Sequence, residues 1–166
     1  MTLSIRPARP GDAPLVLAFV RELAEYEKLL HEVATTEADI EAALFTPEPR
    51  AFCDIVEVDG APVGMALWFY NFSTFAGRHG IYLEDLYVRP SARGRGAGKA
   101  LLVHLAQRCV AENLARLEWS VLDWNAPAIG FYDSLEAAAM DEWTIRRLTG
   151  AALARLAASA KVSDAA

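Results

Sequence analysis

The spacing of apolar positions switches repeatedly along the chain between the period of a strand and that of a helix. "LSIRPA" predicts a short strand. "GDAPLVLAFVRELAEYEKLL" follows with Asp12 as an N-cap, and Leu15, Phe19, Leu23 and Tyr26 recur every three or four residues on one helix face. Thr36-x-x-Asp39 resembles a capping box and opens a second, shorter helix. The period then drops to two. "AFCDIVEV", Asp59-Gly60 and "APVGMALWFY" predict a β-hairpin, because Asp-Gly suits a type I′ turn. "NFSTFAGRHG" reads as a loop and "IYLEDLYV" as the next strand. Leu101, Leu102, Leu105 and Cys109 mark a helix, and "RLEWSVL" alternates like a strand. "DWNAPAIGFYDSL" reads as a helix with Asp123 or Asn125 as cap and Pro127 in its first turn. "EWTIRRL" predicts a last strand and "TGAALARLAASA" a last helix. The order β-α-α-β-β-β-α-β-α-β-α indicates a mixed α/β sheet rather than a bundle or a sandwich.

Between the strand ending at Val88 and the helix containing Leu101 lies "RPSARGRGAGKA", with Gly94, Gly96 and Gly98 accompanied by four cations expected to face a phosphate, Arg89, Arg93, Arg95 and Lys99. Glycines let successive N–H groups converge, and a helix start adds unpaired N–H groups and a positive dipole end. The expected ligand is an anion, most naturally a phosphate. A Walker A loop is excluded, since Arg93 stands at its first glycine and Ala100 at its magnesium-binding hydroxyl. A dinucleotide fingerprint fails as well, with Lys99 or Leu101 at its third glycine.

Composition narrows the setting. The 166 residues are 54% hydrophobic and 23% charged, as for one ordinary globular domain. A net charge of -6 disfavours nucleic-acid binding and suits a cationic substrate. Cys53 and Cys109 form no metal-ligand spacing, and His31, His79 and His104 are scattered, so no metal site is expected. No secretory leader pattern and no apolar run near the ~20 residues of a membrane span appear, which predicts a cytoplasmic protein without membrane partners.

Several stretches together resemble the GCN5-related N-acetyltransferases, in particular their diamine and thialysine N-acetyltransferase branch. They are "IRPA", "ELAEYEKLLHEV", "FSTFAGR", "YLEDLYV", "RGRGAG" and "VLDWNAPAIGFY", in family order over nearly the whole chain. The resemblance implies a single domain over 1–166, with a core at 3–149, a C-terminal helix at about 150–160 and a frayed tail at 161–166. It implies a predominantly antiparallel central sheet flanked by helices, acetyl-coenzyme A as donor, and no metal.

By position, the resemblance also implies roles. Leu86, Tyr87 and Val88 offer backbone groups to the pantetheine arm, and Arg93, Gly94, Arg95, Gly96, Ala97, Gly98 and Lys99 form the pyrophosphate loop. Asn125, Ala126, Pro127 and Ala128 line the other side of that arm, and Tyr132 directs its hydroxyl at the thioester sulfur. Glu84 matches the proton acceptor, acting directly or through water. Tyr26, Glu27, Asp141, Glu118, Trp119 and Ser120 match substrate positions, and Asp85 joins Glu27, Glu84 and Asp141 in a compact acidic pocket. These residue types suit the chemistry: an ammonium must lose a proton before its nitrogen attacks, and the departing thiolate needs a proton or hydrogen bond. Strand alternation sets Glu84 and Asp85 on opposite faces.

Two departures stand out. Glu136-Ala137 replaces the family's Gly-Ala after "FY", which costs ~1 kcal/mol or more if the position is left-handed. Ser73-Thr74 stands where the polyamine branch carries an acid, tilting the expectation toward a thialysine-like amine. The rivals are a protein lysine or N-terminal acetyltransferase and a noncatalytic acyl-coenzyme A sensor; the acceptor itself is not named by the residues. Consecutive Leu67, Trp68, Phe69 and Tyr70 demand cover on both sheet faces; helices of the same chain could supply it, but with the resemblance the expectation is a homodimer.

Overall fold

Strand β1 (Leu3–Pro7) opens the chain in a computed structural model that describes residues 2–159. Then follow helix α1 (Ala13–Tyr26), a 3₁₀ turn at Leu30–Glu32, helix α2 (Glu37–Leu44), β2 (Phe52–Val58), β3 (Ala61–Ser73) and β4 (Arg78–Val88). A second 3₁₀ turn at Pro90–Ala92 leads to α3 (Ala97–Ala111), β5 (Leu117–Trp119), α4 (Ala126–Asp133) and α5 (Gly150–Ala158). The chain forms two compact units, Met1–Ser120 and Val121–Ala166. The expected tail at 161–166 lies outside the described residues.

The first unit holds a five-stranded sheet in the order β1-β2-β3-β4-β5. The first four strands pair antiparallel and β5 joins β4 in parallel, so the expected predominantly antiparallel mixed sheet is observed. Asp59 (φ 50°) and Gly60 (φ 79°) both adopt the left-handed region, as a type I′ turn requires. Thr36 and Asp39 form the capping box: Asp39 N–H donates to Thr36 Oγ1 at 3.3 Å and Thr36 N–H to Asp39 Oδ2 at 2.9 Å.

One sheet face is covered by α1 and α2. Val16, Phe19, Ile55 and Met65 are fully buried there with Cys53, Ile40 and Tyr87. Such side chains stabilise the fold by about 1.5–3 kcal/mol each through burial. The opposite face packs on α3: Leu101 and Leu105 are fully buried, and the Arg108 guanidinium lies 5.1 Å from the Trp68 ring centre. Trp68 Nε1 donates to the buried Asp54 carboxylate at 2.8 Å, which satisfies both polar groups inside this layer.

Four elements differ from the pattern reading. Asp12 sits at the N-cap of α1 but makes no side-chain cap bond. Its carboxylate accepts from Arg6 at 2.7 Å and from the Arg9 N–H at 2.8 Å instead, and Arg6 holds it below the usual carboxylate range. "NFSTFAGRHG" is mostly ladder, with Asn71 opposite Gly80 and Ser73 opposite Arg78. Polar residues continue the strand there because backbone pairing needs no apolar side chain. β5 is only three residues long, since pairing with β4 stops at Trp119. "EWTIRRL" forms no strand: among the described residues its unit contains no other strand to pair with, and Trp143 and Ile145 are 70% and 73% exposed.

Candidate active site

Strand β4 carries the first part of the site. Its register against β3 slips between Leu67 and Trp68, so that Leu67 faces Asp85, Trp68 faces Leu83, and Glu84 faces no residue. Paired residues share a sheet face and neighbours alternate. Leu83 and Asp85 therefore lie on opposite faces, so strict alternation does not run through Glu84, which is exposed while Asp85 is half-buried. Bulges of this kind re-aim side chains beside active sites. Beyond Leu83 the strand has β3 on one side only, because β5 pairs with Ile81, Tyr82 and Leu83 alone. Residues 84–88 thus present an open edge able to hydrogen-bond an extended ligand.

Gly64 lets β3 come close to that edge. It pairs with Val88, and a Cβ there would sit 2.3 Å from the Tyr87 carbonyl oxygen. Sequence reasoning overlooked this residue; its signal was a glycine inside the apolar run "APVGMALWFY".

The helix α1 brings up acids from the other side. It ends in a Schellman motif, with Leu29 N–H donating to Ala24 O at 2.8 Å and Lys28 N–H to Glu25 O at 3.1 Å. The left-handed residue is Lys28 (φ 63°), where glycine is usual. This turn places Tyr26 and Glu27 at the helix terminus. Desolvation pushes the Glu27 carboxyl up. Asp85 is pushed up to about 6 by burial first, then by the charges of Glu84 and Glu27. Three carboxylates from α1 and the bulge therefore share one electrostatic environment, which favours a cation.

The glycine loop follows β4. Gly94 (φ 72°) and Gly96 (φ 83°) are both left-handed, with open space where a Cβ would stand. Gly96 is the N-cap of the 15-residue α3 and offers no side-chain cap, so the first-turn N–H groups of Ala97, Gly98 and Lys99 receive none from it. Arg95 and Lys99 are exposed beside them. Donors, dipole and cations together fit a phosphate group. Arg89 is committed elsewhere: its guanidinium binds Glu22 at 2.8 Å and lies 4.8 Å from the Phe19 ring centre, so it is removed from the expected phosphate cations. Arg93 donates its Nε to the Val88 carbonyl at 2.9 Å and lies 4.9 Å from the Tyr26 ring centre.

On β5, Glu118 accepts from Arg116 at 2.7 Å and Asn71 at 2.9 Å, and Ser120 Oγ meets the Tyr82 hydroxyl at 2.7 Å. Trp119 pairs with Leu83. Glu118 pairs with Tyr82, so this strand runs beside β4 up to the residue before Glu84. A cavity of about 350 Å³ lies elsewhere, lined by Arg21, Glu22, Glu25, Leu30 and Val33, and includes none of the expected site residues.

The second unit carries the remaining expected residues. Asn125 caps α4, its side chain accepting from Ala128 N–H at 3.4 Å, with Ala126 and Pro127 in the first turn. Tyr132 lies in the last turn, 5.4 Å from the Phe131 ring centre to centre. Glu136 N–H donates to Asp133 O and Ala137 N–H to Tyr132 O, a second Schellman turn with Glu136 at φ 61°. The left-handed glutamate considered from sequence is therefore real. Asp141 is exposed outside any helix or strand.

The fold, the bulged open-edged strand and the phosphate-fitting loop define an N-acetyltransferase. The chain belongs to the acetyltransferase (GNAT) family, whose model matches residues 17–136. It is 37% identical over 164 residues to a thialysine N-epsilon-acetyltransferase of Bos taurus, covering 92% of this chain and 96% of that one. An L-ornithine N5-acetyltransferase of Arabidopsis thaliana is 28% identical, with 90% and 85% covered. Among solved structures, an integron cassette protein from the mobile metagenome of V. cholerae superposes with a TM-score of 0.78 at 28% identity, covering 95% and 98%. Among the described residues, no helix is long and apolar enough to cross a membrane.

Proposed function

We propose that this protein transfers the acetyl group of acetyl-coenzyme A to a primary amine of a small cationic molecule of the thialysine or diamine kind. The observation that carries this reading is the acidic group at the bulge of β4, where burial and the charges of Glu84 and Glu27 push the Asp85 carboxyl up to about 6. An acid so placed attracts an ammonium ion and accepts its proton. The similarity to thialysine and ornithine acetyltransferases supports the same acceptor class.

In the proposed reaction Glu27 and Asp85 attract the ammonium form of the acceptor, which then loses a proton to Glu84, directly or through water. The neutral nitrogen attacks the thioester carbonyl carbon, the carbon–sulfur bond breaks, the coenzyme A thiolate takes a proton from Tyr132, and the second proton on the new amide nitrogen passes through solvent to the Tyr132 phenolate. Leu86, Tyr87 and Val88 offer backbone groups to the pantetheine arm, and the family resemblance gives Asn125 to Ala128 a role toward the same arm. Gly94 to Lys99 hold the pyrophosphate through backbone N–H groups and the Arg95 and Lys99 cations. Glu118, Trp119 and Ser120 are acceptor contacts in this reading, and the family resemblance gives Asp141 the same role.

The two units act as one N-acetyltransferase domain, a reading supported by a family match that runs across residue 120. A cytoplasmic homodimer without nucleic-acid or membrane partners is part of the same proposal; Phe72 and Phe75, 53% and 97% exposed on the β3–β4 hairpin, support the dimer alone, since Trp68 is buried and Leu67 packs against the α1 side within the chain's own fold. A turnover panel of thialysine, ornithine, short diamines, polyamines and lysine peptides with acetyl-coenzyme A tests the function. Free cationic amines are expected to be acetylated well ahead of peptides; preference for peptides, or no turnover with any amine, overturns the reading.

A further inference from the structure

Arg93 occupies the first position of the glycine-loop motif, yet its guanidinium does not face the loop. Its Nε donates to the Val88 carbonyl at 2.9 Å, at the end of the open-edged strand. Its planar head lies 4.9 Å from the ring centre of Tyr26 and 5.9 Å from that of Tyr87. Tyr26 is the last residue of α1 and adjoins Glu27, while Tyr87 is buried at 5% exposure and adjoins Val88. One side chain therefore touches both the segment proposed to hold the donor and the segment proposed to hold the acceptor. The Schellman turn beneath Tyr26 is closed by the left-handed Lys28, a strained position that needs outside support.

We propose that Arg93 is a positioning residue that ties the acceptor end of α1 to the donor strand β4, holding Tyr26 and Glu27 where the amine binds. This rests on the acceptor pocket proposed above. A guanidinium suits the task, since its fork donates to a carbonyl while its flat face packs on an aromatic ring; an ammonium, a compact point charge, has no flat face to stack. The role differs from phosphate binding, which needs only charge.

Kinetics with acetyl-coenzyme A and with acetyl-pantetheine, which lacks the phosphates, separate the two. Arg93→Lys and Arg93→Met are expected to raise the amine KM about three- to tenfold with either donor, the effect of losing a cation–π contact and a hydrogen bond. Tyr26→Leu is expected to do the same, and Arg93→Met with Tyr26→Leu to be no worse than either alone. A defect seen with acetyl-coenzyme A alone and rescued by Arg93→Lys would show a phosphate ligand and overturn the proposal. If the wild type acetylates no amine, the functional reading fails by itself. The tie is then read by hydrogen exchange at residues 26–29: faster exchange in Arg93→Lys upholds it, and unchanged exchange overturns it.

Discussion

Replacing Asp85 by asparagine tests the electrostatics of the bulge. Its carboxyl is raised from 3.8 to about 6, chiefly by burial and then by Glu84 and Glu27. The folded chain thus holds this proton more tightly than the unfolded chain, so stability falls as pH rises through the window from about 4 to 6. Above that window the ionised group destabilises the fold in full, by up to about 3 kcal/mol at about 1.4 kcal/mol per tenfold change in proton affinity. Asparagine keeps the shape and removes the charge. Asp85→Asn is therefore expected to be more stable than the wild type at pH 7.5, with the gap about 2 kcal/mol larger there than at pH 4.5. For a chain of this size that corresponds to about 4–8 °C in Tm. Urea unfolding of both proteins at the two pH values measures the gap. The gain in stability is expected to accompany a higher KM for the amine and unchanged affinity for coenzyme A, because the repulsion stored at the bulge is relieved when an ammonium binds. A gap that does not change with pH, or a variant less stable at pH 7.5, refutes the reasoning.

Other outcomes follow from the same geometry. Tyr132→Phe is expected to lower kcat by about 100-fold with little change in coenzyme A affinity, a size typical of losing a general acid; wild-type turnover would remove Tyr132 from the reaction. Lys99→Glu is expected to weaken acetyl-coenzyme A binding by about tenfold. The fold should stay as stable or gain up to about 1 kcal/mol, since an acid favours the start of α3, and calorimetry beside thermal melts reads the two effects separately. Gly64→Ala should destabilise the protein by about 1–3 kcal/mol, because a Cβ 2.3 Å from the Tyr87 carbonyl forces β3 away from β4. Denaturant unfolding tests this, and an unchanged midpoint would show that the strands yield freely. Glu136→Gly is expected to stabilise by about 1 kcal/mol by relieving the left-handed backbone at φ 61°; no gain in Tm would mean that its surroundings already compensate.

Local chemistry was enough to determine much of this protein from sequence. Thr36 with Asp39, Asp59 with Gly60, and Asn125 before Pro127 act through bonds to their own neighbours, so the capping box, the type I′ turn and the α4 cap form as expected. The turn at Gly94 and Gly96 and the start of α3 were legible for the same reason, since left-handed glycines and a helix start need no distant partner. What depended on distant partners could not be read in this way. The bulge at Glu84 arises from how β3 and β4 pair, and it cancels an alternation that period-two patterning takes for granted. "EWTIRRL" has a strand's pattern but no strand to pair with in its unit, and a backbone cannot satisfy its hydrogen bonds by pattern alone. Arg89 and Arg93 look alike in the sequence as cations near a loop. Only packing decides between them, because Glu22 and Phe19 take one guanidinium while Val88 and Tyr26 take the other.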